Sequence, residues 1–281
     1  MVGRMPLTDD MQRNWPVQSP EYWPRPPRIS GTAMPTGVHL SAGYVRTSRD
    51  WELVATGLAV MGLAAVAAVL SFFVVWLLDA TTPAPTVGIL LGVLSGNVPA
   101  YYAYWQVLIN LVAALTFLVV LRFSPLAGYH AAEHMTVTCI ERLGRLDPEQ
   151  VRHMPRAHPR CGTSLLAGVL PIFLIAVPLL SVNKELAALV VIVGWVLRDR
   201  TGIFLQQVFT TRPPSRKQLE AGIRAGERLL ALMRQERPKP LSPAQRLWRR
   251  GFPQMAAGAI AGMWFLGWLL DNIHVFLDTG L

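Results

Sequence analysis

Hydrophobic positions in this chain fall in long uncharged runs rather than in the alternation of a soluble fold. Leu53 to Leu78 carries no charge, and at 1.5 Å per residue such a run crosses a hydrocarbon core of about 30 Å. Trp51 and Trp76 stand near its ends, where indoles favour the membrane interface. Tyr101 to Leu121 is a second run, with Tyr101, Tyr102, Tyr104 and Trp105 as a belt at one end. Asn110 in its middle is costly against lipid and is expected to face another helix. Ser164 to Leu180 and Leu186 to Leu197 are separated only by Ser181-Val182-Asn183-Lys184-Glu185 and read as a tight hairpin crossing out and back. The second arm is short, which calls for tilt, bilayer thinning or continuation past Arg198-Asp199-Arg200. Met255 to Leu270 is the last run, with Gly258 and Gly262 as a small-residue contact face.

This pattern predicts an all-α, polytopic helical membrane protein with about five transmembrane spans and two cytosolic helical segments. Residues 1–50 form a proline-rich arm and 51–121 hold the first two spans. Residues 122–163 and 198–253 are the two polar segments. Residues 164–197 are the hairpin, and 254–281 hold the last span and a tail. Gly88, Gly92 and Gly96 repeat every four residues before the second span, as a re-entrant or packing segment or as a flexible outer loop. The arm has seven prolines in fifty residues and no signal-peptide h-region. It is expected to be irregular, lying in solvent or on the membrane, with Trp15, Tyr22, Trp23 and Tyr44 able to dock it on a neighbour.

Charge supports the same layout. Only 15% of residues are charged, against about 25% in soluble domains. The arm holds six Arg, residues 122–163 hold six more, and residues 198–253 hold thirteen Lys or Arg; the outer segments hold only Lys184. By the positive-inside rule the N-terminus is cytosolic and the C-terminus outside, in a multi-pass protein of the inner (plasma) membrane. The net charge of +9 then has a lipid-headgroup cause, and nucleic acid is not an expected partner. The bilayer is the partner, with the glycine stripes as surfaces for a membrane protein or a second copy. Cys139 and Cys161 fall in the cytosolic segment, where thiol or metal ligand is expected rather than disulfide.

Four of the six histidines lie in residues 122–163. Ser124-Pro125 reads as an N-cap with proline at N1, and Gly144 as a stop. On that helix stands His130-Ala131-Ala132-Glu133-His134, which places two imidazoles one turn apart on one face with Glu133 beside them. Such a pair can bind one Zn²⁺, leaving the carboxylate to take a proton as general base; the same residue order occurs in inverted zinc peptidases. Cys139 points to the opposite side. Glu141 shares the face but is about 10 Å along the axis, placed to orient a ligand or bind substrate. The missing ligands are expected from His158-Pro159-Arg160-Cys161. A closed set of His130, His134, His158 and Cys161 would be structural, whereas three of them plus water would be catalytic. Asp147-Pro148 caps a short helix, and Ser215 to Gln218 is a capping box opening a basic amphipathic helix striped by Leu219, Ile223, Leu230 and Met233. Ser242-Pro243 caps a last short helix.

The chain resembles the YqhQ-like family of bacterial integral membrane proteins, predicted metal-dependent enzymes of unknown function. The resemblance rests on Tyr129 to His134, His158 to Ser164, and a third block of Gln206 or Gln207, Thr210 to Pro214 and Gln218-Leu219-Glu220. Pro213 stands where the family has a glutamate, and a Gly- and Met-rich N-terminal block is not recognisable. The resemblance and the residues together suggest a zinc-dependent hydrolase at the cytosolic membrane face, with Arg160, Thr211 and Arg212 supporting or holding an anionic substrate group. The alternative is a scaffold or complex subunit whose loops are held by a structural metal. A transporter, which would want polar or broken helices at midplane, has only Asn110 in its favour.

Overall fold

The computed structural model describes residues 28–96, 98–236 and 240–279. Four of its helices are long and apolar enough to cross a membrane, and the fold is an all-α polytopic membrane architecture. They are α1 (Asp50–Thr81), α3 (Ala103–Phe123, led in by a 3-10 turn from Ala100), α6 (Gly162–Leu179) and α10 (Phe252–Thr279). The expected fifth, α7 (Lys184–Leu205), packs along α6 as the other arm of the hairpin. It carries Arg198, Asp199 and Arg200 within its helical length, so it is apolar over only half its turns.

Apolar side chains on these helices face outward. Phe73, Val69, Ile192, Val196, Trp264 and Phe265 are all exposed on the protein, as a lipid-solvated bundle requires. Helices α1 and α10 approach backbone to backbone. A Cβ on Gly57 would lie 2.0 Å from the Met255 carbonyl oxygen, and one on Gly258 1.9 Å from that of Val54. The Gly258–Gly262 face is therefore filled by α1 of the same chain. Asn110 faces protein as expected, donating to the Leu174 carbonyl at 3.1 Å. Pro178 brings no N–H to that carbonyl four residues back, so the amide fills a bond the helix cannot make. The Gly88 stripe is helix α2 (Thr86–Ser95), ended by left-handed Gly96. Its Ile89 packs with Val75 and Ile109, so this stretch is a packed helix. A Cβ added to Gly88 would meet nothing nearer than 3.8 Å.

The polar segments gather into one cap. Helix α4 (Pro125–Leu143) begins at Ser124 and ends at left-handed Gly144, as the sequence implies. Helix α5 (Pro148–Arg152) is capped by Asp147, and α8 (Arg216–Gln235) by the Ser215–Gln218 box. Leu229 and Met233 of α8 are buried against α4 and the arm, so its apolar stripe serves the cap. Helix α9 (Pro243–Arg249) leads into α10.

The arm differs from expectation. Residues Ser30–Met34 (β1) and Gly37–Ser41 (β2) form an antiparallel hairpin laid over α4 and α8. Four of the five β2 residues are buried, His39 and Ser41 among them. With both faces covered, the alternation that marks a half-exposed strand is absent, and the surrounding prolines disguise the rest. Tyr44 packs on the same core; Trp15, Tyr22 and Trp23 lie outside the described residues.

Candidate metal centre

Three ligand atoms, one each from His130, His134 and Cys161, lie within 4.8 Å of one another. Both imidazoles come from α4, separated by one helical turn, with ring centroids 4.3 Å apart. The thiol is brought to them by the turn that opens α6. Cys161 is the N-cap of that helix, its sulfur accepting from Thr163 N–H, and Sγ stands 3.3 Å from His130 Nε2.

Backbone carbonyls fix both rings. His130 Nδ1–H donates to the Thr210 carbonyl at 2.9 Å, and His134 Nδ1–H to the Arg156 carbonyl at 2.6 Å. The tautomer follows from these partners: each ring keeps its proton on Nδ1 and presents the Nε2 lone pair inward, as metal-ligating histidines do. The Thr210 carbonyl is aimed by a π-helical turn, Gln206–Thr210, at the end of α7. Gln206, fully buried, accepts the His158 N–H at 2.7 Å and donates to Ser164 Oγ at 3.4 Å, which ties the turn to the Cys161 loop.

Glu133 is buried between the ligand-bearing face and the hairpin. Burial, opposed by His130 and the Ala33 N–H and reinforced by Cys161, pushes its carboxyl up to about 8. Gly31 of β1 rests directly on it: a Cβ there would lie 2.5 Å from Glu133 Oε1. Burial likewise holds His134 well below the usual histidine range, with His130 and His158 adding to the effect, so its ring is neutral. Burial pushes the Cys161 thiol up, against the hydrogen bonds from Thr163.

The remaining sequence candidates take other places. His158 stands beside the cluster, its ring centroid 5.8 Å from that of His134, but its Nε2 faces Glu141 Oε2 at 3.4 Å. Arg160 pairs with the same carboxylate. Burial alone would raise the Glu141 carboxyl, but His158 and Arg160 hold it below the usual range. Thr211 Oγ1 donates to the Gln206 carbonyl at 2.7 Å, and Thr211 and Arg212 are otherwise held through their backbones. The Thr211 carbonyl accepts from Arg122, and Arg212 N–H donates to the Ala127 carbonyl at 3.1 Å. Cys139 faces the opposite side, against the Arg145 carbonyl.

A cavity of about 850 Å³ opens over the centre. His130, Glu133, His134 and Cys161 lie on its wall with Arg28, Arg160, Arg246 and Arg250; Arg212 is not part of it. Sequence reasoning missed Gly31, the two orienting carbonyls and Arg246, and read Arg250 only as an anchor before the last span. The carbonyls leave no sequence signal, and a glycine in a proline-rich arm looks like any turn residue.

The class thus defined is a helical membrane protein carrying a part-buried His₂Cys cluster beneath a capping hairpin. The chain belongs to the family described as Protein of unknown function (DUF1385), which matches residues 38–197. No curated protein and no solved structure matches it.

Proposed function

We propose that the chain binds zinc through His130, His134 and Cys161 and acts as a metal-dependent hydrolase at the cytosolic face of the plasma membrane. One observation carries the reading: two Nδ1–H groups tied to carbonyls leave two Nε2 lone pairs and a thiol converging within 4.8 Å. Two nitrogens and one sulfur suit Zn²⁺, and the lack of an oxygen donor disfavours Mg²⁺ or Ca²⁺. With His158 engaged by Glu141, three protein ligands rather than four converge, the number found where a coordination position is kept for water or substrate. The ion would supply Lewis acidity and a water acidified toward neutral pH. Glu133 is the carboxyl beside it placed to take a proton, and a bound cation would offset the burial that otherwise keeps that carboxyl protonated near neutral pH. Gly31 and the Ala33 N–H keep its carboxyl in place. The arginine distribution, six in residues 1–50 and thirteen Lys or Arg in residues 198–253, supports a cytosolic N-terminus, and with α7 crossing as the fifth span the C-terminus lies outside.

A second reading is a structural metal in a scaffold. It is favoured by the way the cluster joins α4, the Arg156–Cys161 loop and the π turn after α7, three segments far apart in sequence. Metal analysis of detergent-purified protein tests what the two readings share, and turnover separates them. About one zinc per chain is expected, lost in His134→Ala and reduced in Cys161→Ser. Glu133→Gln keeps the metal under both readings, but only the hydrolase loses turnover. Fully folded wild-type protein that neither carries nor takes up zinc would end both.

A further inference from the structure

The cavity over the centre is far larger than an ion and a water need, since a water occupies about 30 Å³. Its walls have two characters. On one side are Val60 of α1, Leu121 of α3, Leu166 of α6 and Phe252 of α10, all from membrane-crossing helices. Val60 is 36% exposed, Leu166 53% and Phe252 54%; on helices solvated by lipid, such surface meets acyl chains. On the other side are Arg246 and Arg250, one turn apart at the α9–α10 junction, with Arg28 opposite on the arm. Among the described residues none of these three makes an ion pair, whereas Arg160 is held by Glu141. The arginine junction is itself fixed: His39 Nε2–H donates to the Arg249 carbonyl at 3.3 Å, and left-handed Gly251 packs on Leu53. Among the described residues the only carboxylate on the wall is Glu133.

We infer that this cavity takes an anionic amphiphile from the bilayer, its charged head on Arg246 and Arg250 and its chain along Val60, Leu166 and Phe252. Guanidiniums spaced by one turn match the paired oxygens of a phosphate or carboxylate head, and an apolar wall open to lipid admits the chain without exposing it to water. A water-soluble anion would gain nothing from that wall. The inference names the substrate class of the proposed hydrolase and rests on that reading for its chemistry, though not for binding.

The test is isothermal titration of the full chain in detergent with dihexanoyl phosphatidic acid, whose chains are short enough to stay monomeric, beside glycerol 3-phosphate and dihexanoylglycerol. The phosphatidic acid should bind at least tenfold more tightly than either fragment, and Arg246→Gln with Arg250→Gln should weaken it at least tenfold. Arg216→Gln with Lys217→Gln, on the far cap helix α8, should change it less than twofold. Equal binding of glycerol 3-phosphate, or an equal loss in the α8 pair, overturns the inference. Zinc content is measured on the same samples. Protein that holds zinc but not the amphiphile refutes this inference alone, and protein that binds the amphiphile in wild-type and Cys161→Ser forms without ever holding zinc refutes the metal reading alone.

Discussion

Replacing Gly31 by alanine tests the contact between the hairpin and the proposed base. The added Cβ would lie 2.5 Å from Glu133 Oε1, 2.6 Å from Cγ and 2.7 Å from Cδ. Ordinary contact begins near 3.4 Å, so three atoms overlap by most of an ångström each. Glu133 is 7% exposed and stands on a helix between Ala132 and His134, so it has little room to yield. Gly31 has no positive φ, and alanine costs nothing in backbone conformation there. Overpacking of this kind costs about 1–3 kcal/mol. It should appear as faster amide exchange across Ser30–Ser41, the hairpin opening before the rest of the cap. Glu133→Ala removes the atoms in conflict, so in that background Gly31→Ala should cost less than about 0.5 kcal/mol, a coupling measurable in a double-mutant cycle. If Gly31→Ala costs the same with and without the Glu133 side chain, the hairpin does not rest on the carboxylate and its role in holding the base is wrong.

Other expectations follow from the same contacts. His39 is fully buried and held near 4, chiefly by desolvation, against an ordinary 6.5. A depressed histidine contributes stability above its unfolded value that is lost on acidification, so about 3 kcal/mol should disappear between pH 6.5 and 4; thermal unfolding of His39→Gln should show a flatter profile over that window. Gly258→Ala puts a Cβ 1.9 Å from a backbone oxygen, which a side-chain shift cannot relieve, and should cost about 3 kcal/mol or more as a lower unfolding temperature in detergent. Asn110→Leu strands the Leu174 carbonyl and should cost about 1 kcal/mol; an unchanged midpoint would mean the carbonyl finds another donor.

Much of the helical frame is legible in the chain because lipid solvation writes it in uncharged runs, and helix ends such as Ser124-Pro125 and Gly144 carry their own capping chemistry. The two imidazoles of α4 are equally legible, since a one-turn spacing fixes their common face. His158 against Cys161 cannot be decided that way. Their order in His158-Pro159-Arg160-Cys161 is neutral between them, and what distinguishes them is Glu141 on α4, which engages His158. The β-hairpin escapes sequence reading for a different reason: β2 is buried on both faces and begins after a proline turn, so neither alternation nor composition marks it. Gly31 acquires meaning only once Glu133 lies beneath it.

The two orienting carbonyls bear on how the cluster can be isolated. The family match runs over residues 38–197, yet His130 takes its tautomer from Thr210 and Glu133 is covered by Gly31, both outside that stretch. Excising the matched region would keep every proposed ligand while losing the proton anchor of one ring and the roof of the carboxylate. The autonomous unit is thus wider than the similarity that reveals it, and fragments should begin before the hairpin and end beyond the π turn.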